Sequence, residues 1–406
     1  MFKTKEKNKN TITLSYKYRI YSTLEVEQKL AKTMETEVKV YNSLLDYITE
    51  KKKQGIKVTQ LDTQKLLKNM KEKHEVYSKA LQMINNILWY NINSLSKLKK
   101  NGKKVGKLRH KKIFKIIWYN QSGFKLTGDT LYLSKIGEIK VLLHRPIRGE
   151  IKGVIIKRSK TDKWYAIFQV EQEKQPLEKT GKVVGVDLGV EKFVTTSDGV
   201  VIENSKLLDK REERIRLLQR RLSRRKRGSR NREKARLKLA KAYERLENTL
   251  ADYIHKVTTW LVKNYDVIVV EELNTQRMVL DSFGRLRKHI LYSKFSSFLH
   301  QLFYKAVRAG RKVVEVDPEY TSQTCSRCGY KVKLSLSDRV FHCPNCDLVI
   351  DRDYNASLNV LRDGVGTAFL PVEGEPLLYV TFHEVLYSKF PLRSRKSSSR
   401  GGDASS

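Results

Sequence analysis

Between Cys325 and Asp353 the chain sets two kinds of metal chemistry side by side. Cys325-x-x-Cys328 and Cys343-x-x-Cys346 are two knuckles separated by fourteen residues, with Gly329 and Pro344 beside them to make tight turns. Four thiolates at this spacing suit a tetrahedral zinc ribbon. Four protein ligands leave no open position, so such a zinc is structural, and neighbouring His342 is not needed as a ligand. These are the only cysteines in the chain. Two tight pairs, with no export signal in MFKTKEKNKN, point to metal rather than to disulfides.

Acids form the second kind. Asp187 ends the strand-like run "KVVGVDLGV", Glu271 ends "VIVV", and Asp353 opens the helical "YNASLNVLR". Neighbouring strands can bring the first two to one sheet edge, where a helix N-terminus supplies the third. Three close carboxylates repel one another unless divalent cations neutralise them. Mg²⁺ favours a few carboxylates, waters and phosphate oxygens. Two such ions about 4 Å apart can clamp the attacking water and the leaving oxygen of a phosphodiester. Taken singly, each acid reads as a surface or capping residue, Asp353 as an N-cap. The catalytic reading rests on their recurrence at element ends. Strand alternation lets only one of Glu271 and Glu272 face such a site, and Asp351 competes with Asp353.

The elements that must position these groups follow from periodicity. Residues 11–21 alternate as a strand, with Tyr16 and Tyr18 on the same side as Ile12 and Ile20. Thr23 is placed to cap a helix over Leu24–Lys53. Helices follow over about 59–73 and 76–99, the last with an apolar stripe through Leu81, Ile84, Leu88, Ile92 and Leu95. Short β-rich segments fill 113–173, and with residues 11–21 they predict an antiparallel barrel interrupted by a helical insert. From Gly181 the order becomes a strand meander, helices over 205–264 broken at Gly228-Ser229, a strand buried on both faces ending at Glu271, a helix over 285–310, and the buried strand "KVVEV". The cysteine region and a last helix complete an α/β domain. The end, "SRKSSSRGGDASS", reads as disordered.

The bulk charge names a partner class. Lys+Arg is 82 and Asp+Glu 44, a net +38, which suits nucleic acid. Lys210–Lys241 holds sixteen Lys/Arg against three acids. Arg220, Arg221, Arg224, Arg225, Lys226 and Arg230 are its candidate phosphate contacts, against the alternative of a merely solvated helix. Tyr16, Lys17 and Tyr18 are candidates for stacking and charge contacts with unpaired bases, with ordinary strand packing as the alternative. No apolar run is long enough to span a membrane, so the expectation is a soluble, cytoplasmic protein without membrane contact.

"GVDLGVEKFVTTSDG", "VIVVEELN", "DPEYTSQTCSRCGY", "FHCPNCDLVIDRDYNASLNVL" and the basic "LQRRLSRRKRGSRNREKARLKLAK" together resemble the TnpB (OrfB) family of bacterial and archaeal insertion sequences. The likeness runs over about 11–363 and is weakest in the helical insert. It implies an RNA-guided DNA endonuclease related to type V CRISPR effectors, with a RuvC-like nuclease domain of RNase H fold into which a zinc ribbon is inserted. It implies a wedge-like β-barrel (1–22 and 113–178), a helical recognition lobe (23–112), the nuclease domain (179–316 and 351–364), the ribbon (317–350) and a C-terminal tail (365–406). By the same likeness Asp187, Glu271 and Asp353 are the catalytic acids, holding two Mg²⁺ that cut both strands in turn. Cys325, Cys328, Cys343 and Cys346 hold one structural Zn²⁺. The implied partners are a guide RNA derived from the transposon end and double-stranded target DNA, with a separate transposase as a functional and not necessarily physical partner; the implied place of action is the prokaryotic nucleoid. Ser357 stands where the family often has Ala. The rival functions are an RNA-guided DNA-binding protein that does not cut, and a DNA transposase acting without a guide.

Overall fold

The computed structural model describes residues 10–70, 76–204, 207–335, 338–366, 377–381 and 384–385. The Ser/Gly/Arg-rich end and the first residues of the chain lie outside them. The chain divides into two compact units, Met1–Glu173 and Lys174–Ser406.

In the first unit, strand β1 (Thr11–Tyr21) leads into α1 (Leu24–Lys53), α2 (Gln60–Asn69) and α3 (Ser78–Lys100). Six strands follow: β2 (Ile116–Asn120), β3 (Phe124–Thr127), β4 (Thr130–Leu133), β5 (Gly137–Leu142), β6 (Glu150–Arg158) and β7 (Trp164–Glu173). Local chemistry accounts for the helix ends. Thr23 accepts from the Val26 N–H at the start of α1, and Thr59 and Asp62 close a capping box on α2. The sheet order is β2-β6-β7-β1-β5-β4-β3, antiparallel throughout. Its two end strands contribute Ile117 of β2 and the partly buried Leu126 of β3 to one core with Tyr18, Phe168 and Val154, so the sheet curls round that core like an incomplete barrel. The helices bury a second core through Tyr41, Leu44, Leu67, Ile84 and Leu88.

In the second unit, β8 (Val183–Asp187), β9 (Lys192–Thr196) and β10 (Val200–Glu203) form a meander. The helices α4 (Leu207–Ser223) and α5 (Arg230–Asn264) precede β11 (Val267–Glu271). Then come α6 (Thr275–Leu280), α7 (Gly284–Ser293), α8 (Phe295–Ala309) and β12 (Lys312–Val316). The hairpin β13 (Val340–His342) and β14 (Val349–Asp351) precedes α9 (Arg352–Val365), and β15 (Leu378–Val380) is the last strand described. The sheet runs β12-β11-β8-β9-β10-β15, with β12, β11 and β8 mutually parallel and β9 antiparallel to β8. The middle of β11 is covered on both faces. Ile268 and Val270 join the core built by α5 and α8, while Val269 packs with Val360 and Leu361 of α9.

Five expectations change. The helix over 285–310 is two helices, because Lys294 takes a left-handed conformation with φ 52°. Strand β12 is a half-exposed sheet edge rather than a buried strand. Asp351, not Asp353, caps α9, accepting from the Asp353 and Tyr354 N–H groups at 3.1 Å each. Residues 174–178 belong with the second unit, since Gln175 and Leu177 N–H groups bond the Arg308 and Ala309 carbonyls at the end of α8. The region after 364 is not all tail: β15 pairs with β10, and Val380 and Val385 enter the main core. An uncovered β10 edge would leave backbone donors and acceptors unpaired.

Candidate functional site

The elements that carry the acids converge at the carboxyl end of the parallel strands, although the three carboxylates do not form a group within 4.8 Å of one another. Val270 of β11 stands level with Val186 of β8, so the next residues along, Glu271 and Asp187, leave the sheet side by side. Asp353 comes from the first turn of α9, which crosses β8. Gly185 permits that crossing. A Cβ there would lie 2.3 Å from the Ser357 carbonyl oxygen and 2.6 Å from the Leu361 nitrogen. At the other end of the helix, Gly364 leaves room for the Val269 side chain, which an added Cβ would meet at 2.4 Å. Two missing side chains thus let α9 lie against the sheet and carry Asp353 to its end.

Electrostatics register the convergence. Burial, then the charge of Glu271, then that of Asp353 push the Asp187 carboxyl well above the usual carboxylate range; Arg352 and Lys192 partly offset them. Glu271 is buried, 8% exposed, which raises its pKa against the opposing hydrogen bond from the Thr321 hydroxyl. Alternation is resolved by exposure, since Glu272 faces solvent. Asp353 accepts from Arg352 at 3.0 Å and lies 3.6 Å from the Lys192 ammonium. Lys192 also pairs with Asp351, so Asp351 is committed to that lysine and to the helix cap. In donor chemistry the three acids suit a hard divalent cation, since they supply oxygen donors only, with Lys192 and Arg352 as the neighbouring cations.

The four cysteines also converge. All four Sγ atoms lie within 4.8 Å of one another, with Cys325–Cys346 at 3.6 Å and Cys328–Cys343 at 3.5 Å. Zn–S bonds of about 2.3 Å span a tetrahedron with edges of about 3.8 Å, so this cluster is of the right size for a metal ion. Among the described residues it is the one tight group of three or more such ligand atoms. Phe341 and Leu348 pack beneath Cys325 and Cys343, and His342 is exposed.

The nucleic-acid candidates separate. Arg220, Arg221, Arg224, Arg225, Lys226 and Arg230 are all exposed, around the turn between α4 and α5. Ile215 packs on Leu246 and Leu250 to hold that helical hairpin, and Ser229 caps α5. Tyr16 and Tyr18 instead point into the barrel core. Tyr18 is 0% exposed with its hydroxyl on the Arg145 carbonyl, and Tyr16 bonds Gln172, so neither ring offers a face to a base. Lys17, on the other face of β1, is exposed and lies 4.1 Å over the Tyr165 ring. Alternation put both tyrosines on one face, but could not say that this face was the inner one. Lys192 and Thr321 were not singled out either, because neither sits at a periodic or motif position that signals contact with an acid. No described helix is long and apolar enough to cross a membrane.

Three family models match the chain: OrfB_IS605, described as "Probable transposase", over 167–281; the Cas12f1-like TNB domain over 295–360; and an OrfB_IS605 helix-turn-helix domain over 10–57. In the structure the last of these stretches is β1 followed by the unbroken α1. "Putative RNA-guided DNA endonuclease InsQ" of Escherichia coli (strain K12) is 33% identical over 60% of this chain and 64% of its own length. A like-named Streptomyces pristinaespiralis protein is 31% identical over 62% and 63%. The CRISPR-associated endodeoxyribonuclease Cas12f1 of Sulfoacidibacillus thermotolerans is 27% identical over 55% and 56%. The chain therefore spans less than two thirds of the length of these relatives. In fold it is similar to Cas12f1 as seen in a Cas12f1–sgRNA–target DNA complex, with a TM-score of 0.56 at 15% identity, over 86% of this chain and 99% of that one.

Proposed function

Because this chain belongs to the TnpB (OrfB) family, related to type V CRISPR effectors, we propose that it is a transposon-associated, RNA-guided DNA endonuclease with one RuvC-like acidic site. The observation that carries the reading is geometric: the register of β8 and β11 ends the two strands side by side at Asp187 and Glu271, and α9, packed on Gly185 of β8, opens on Asp353. Three acids from β8, β11 and α9 form one electrostatic unit at the end of a sheet whose parallel core and antiparallel meander suit an RNase H-type nuclease. Relatives named as RNA-guided DNA endonucleases support the same reading. The curled sheet and helices of the first unit then serve as wedge and recognition lobe.

Asp187, Glu271 and Asp353 would hold magnesium, which when bound supplies Lewis-acid activation of water and of the phosphoryl group. The chain's own part is positional. The register of β8 and β11 sets Asp187 beside Glu271, and α9 presents Asp353. Lys192 and Arg352 balance charge around Asp353, with the Lys192 ammonium shared between Asp351 and Asp353. The cysteine cluster would hold one structural zinc and shape the segment between β12 and α9. Sequence selection falls to guide–target base pairing, with the exposed basic turn of α4 and α5 holding nucleic-acid backbone.

The test is co-expression of the chain with its flanking DNA, sequencing of the RNA that copurifies, and challenge with matching duplex and Mg²⁺. RNA-dependent cutting that is lost in Asp187→Ala, with RNA binding kept, supports the reading. Binding without cutting favours a guided DNA-binding protein, and guide-free action on transposon ends favours a transposase.

A further inference from the structure

We propose that Thr321 is the positioning residue of the acidic site, the link by which the cysteine module sets the orientation of Glu271; this rests on the nuclease reading above. Thr321 lies between β12 and the first knuckle and is 5% exposed. Its hydroxyl bonds Glu271 Oε1, with the Pro318 carbonyl at 3.5 Å as a weaker alternative. A hydroxyl carries one proton. When Glu271 is ionised the carboxylate is acceptor-only, and the charge-assisted bond takes that proton. One carboxylate oxygen is then held, and the group cannot rotate freely about its terminal torsion.

Two buried asparagines of α9 hold Thr321 in place. Asn359 donates to the Thr321 carbonyl at 2.8 Å and to the Thr324 carbonyl at 2.6 Å. Asn355 donates to the same Thr324 carbonyl at 2.7 Å and accepts from the Ser326 N–H at 3.0 Å. Both are 0% exposed. They stand four residues apart on one helical face and grip the chain on either side of Cys325. The helix that grips Cys325 is the one that carries Asp353. A single buried network therefore joins the first knuckle, α9 and Glu271. A zinc-ordered knuckle fixes the Thr321 backbone, and the Thr321 hydroxyl passes that order to a ligand of the second metal site. Groups that hold metal ligands in this way are worth about 10- to 100-fold in metal affinity.

The experiment uses the full chain with its copurified RNA, titrated with Mn²⁺ and followed by calorimetry and by the electron paramagnetic resonance of free Mn²⁺. Asp187→Ala sets the background. Thr321→Val keeps the volume and removes the donor; it is expected to weaken Mn²⁺ binding by about 10-fold or more. Its zinc content and RNA affinity should match the parent. Thr321→Ser, which keeps the hydroxyl, should restore Mn²⁺ binding. A purely structural role would alter the unfolding temperature but leave Mn²⁺ affinity alone. Equal Mn²⁺ binding by the valine variant and the parent overturns the proposal while the nuclease reading stands. A parent that binds no more Mn²⁺ than Asp187→Ala overturns both. If the valine variant does not fold, the same comparison between Thr321→Ala and Thr321→Ser decides, and equal affinities again overturn the proposal.

Discussion

Gly185 and Ser357 are in backbone contact: a methyl group on the glycine would sit 2.3 Å from the serine carbonyl oxygen. That contact sets how closely α9 lies on β8, and hence how far Asp353 reaches toward Asp187. Gly185→Ala must push the helix off the strand. Overpacking of this kind costs about 1–3 kcal/mol, read as a lowered denaturation midpoint. Guided cleavage should fall by more than stability explains. An alanine variant with parental cleavage would show that the approach of α9 is not what assembles the acids.

A second prediction concerns the cysteine cluster. Cys343→Ser removes a buried thiol from a set of four. Structural zinc sites contribute folding free energy outright, so metal content, measured by atomic emission, should drop from about one zinc per chain to a small fraction. The 317–350 segment should become sensitive to protease. Retained stoichiometric zinc would remove Cys343 from the ligand set.

Salt dependence tests the basic turn. Arg224, Arg225 and Lys226 are exposed together. If all three contact phosphates, replacing them with alanine should lower the slope of log affinity against log salt by about two units, at about 0.7 per contact on single-stranded RNA. An unchanged slope would mark the run as a solvated face.

Glu37 supplies a pH test in the first unit. It is 0% exposed, neither carboxyl oxygen has a hydrogen-bond partner among the described residues, and burial pushes its pKa up to about 9. The folded state therefore keeps a proton that the unfolded chain releases near 4.5. Stability is full below that pH and is lost as pH rises toward 9, at about 1.4 kcal/mol per unit. Glu37→Gln does not titrate. The gap in unfolding temperature in favour of the glutamine variant should therefore widen from pH 5 to pH 8.5. A constant gap would mean that Glu37 is ionised or solvated in the folded state.

Much of this molecule is written locally. The Cys-x-x-Cys spacings bring four thiols together because each knuckle is only a few residues long, the second sits in the turn of the β13–β14 hairpin, and only fourteen residues separate the two. Helix boundaries at Thr23, Thr59 and Ser229 follow from side chains that cap their own helices, and the apolar run ending at Glu271 follows from burial on both faces of a central strand. The three acids could be named as candidates because each falls at an element end, and the family likeness singled out Glu271 and Asp353 from their neighbours.

What the amino-acid order determined by itself was therefore the set of elements, most of their caps and the cysteine cluster; the acids and the basic run it named only as candidates. Only the tertiary structure decided which face of β1 turns inward, burying Tyr18 and leaving Lys17 outside. It alone showed that β15 closes the β10 edge, that Asp351 rather than Asp353 caps α9, and that Lys192 and Thr321 hold the acids. The physical reason is range. Capping, turns and knuckles are settled among residues a few positions apart. The inward face of a strand, the occupant of a sheet edge and the partner of a buried carboxylate are settled by segments that meet only after the chain has folded.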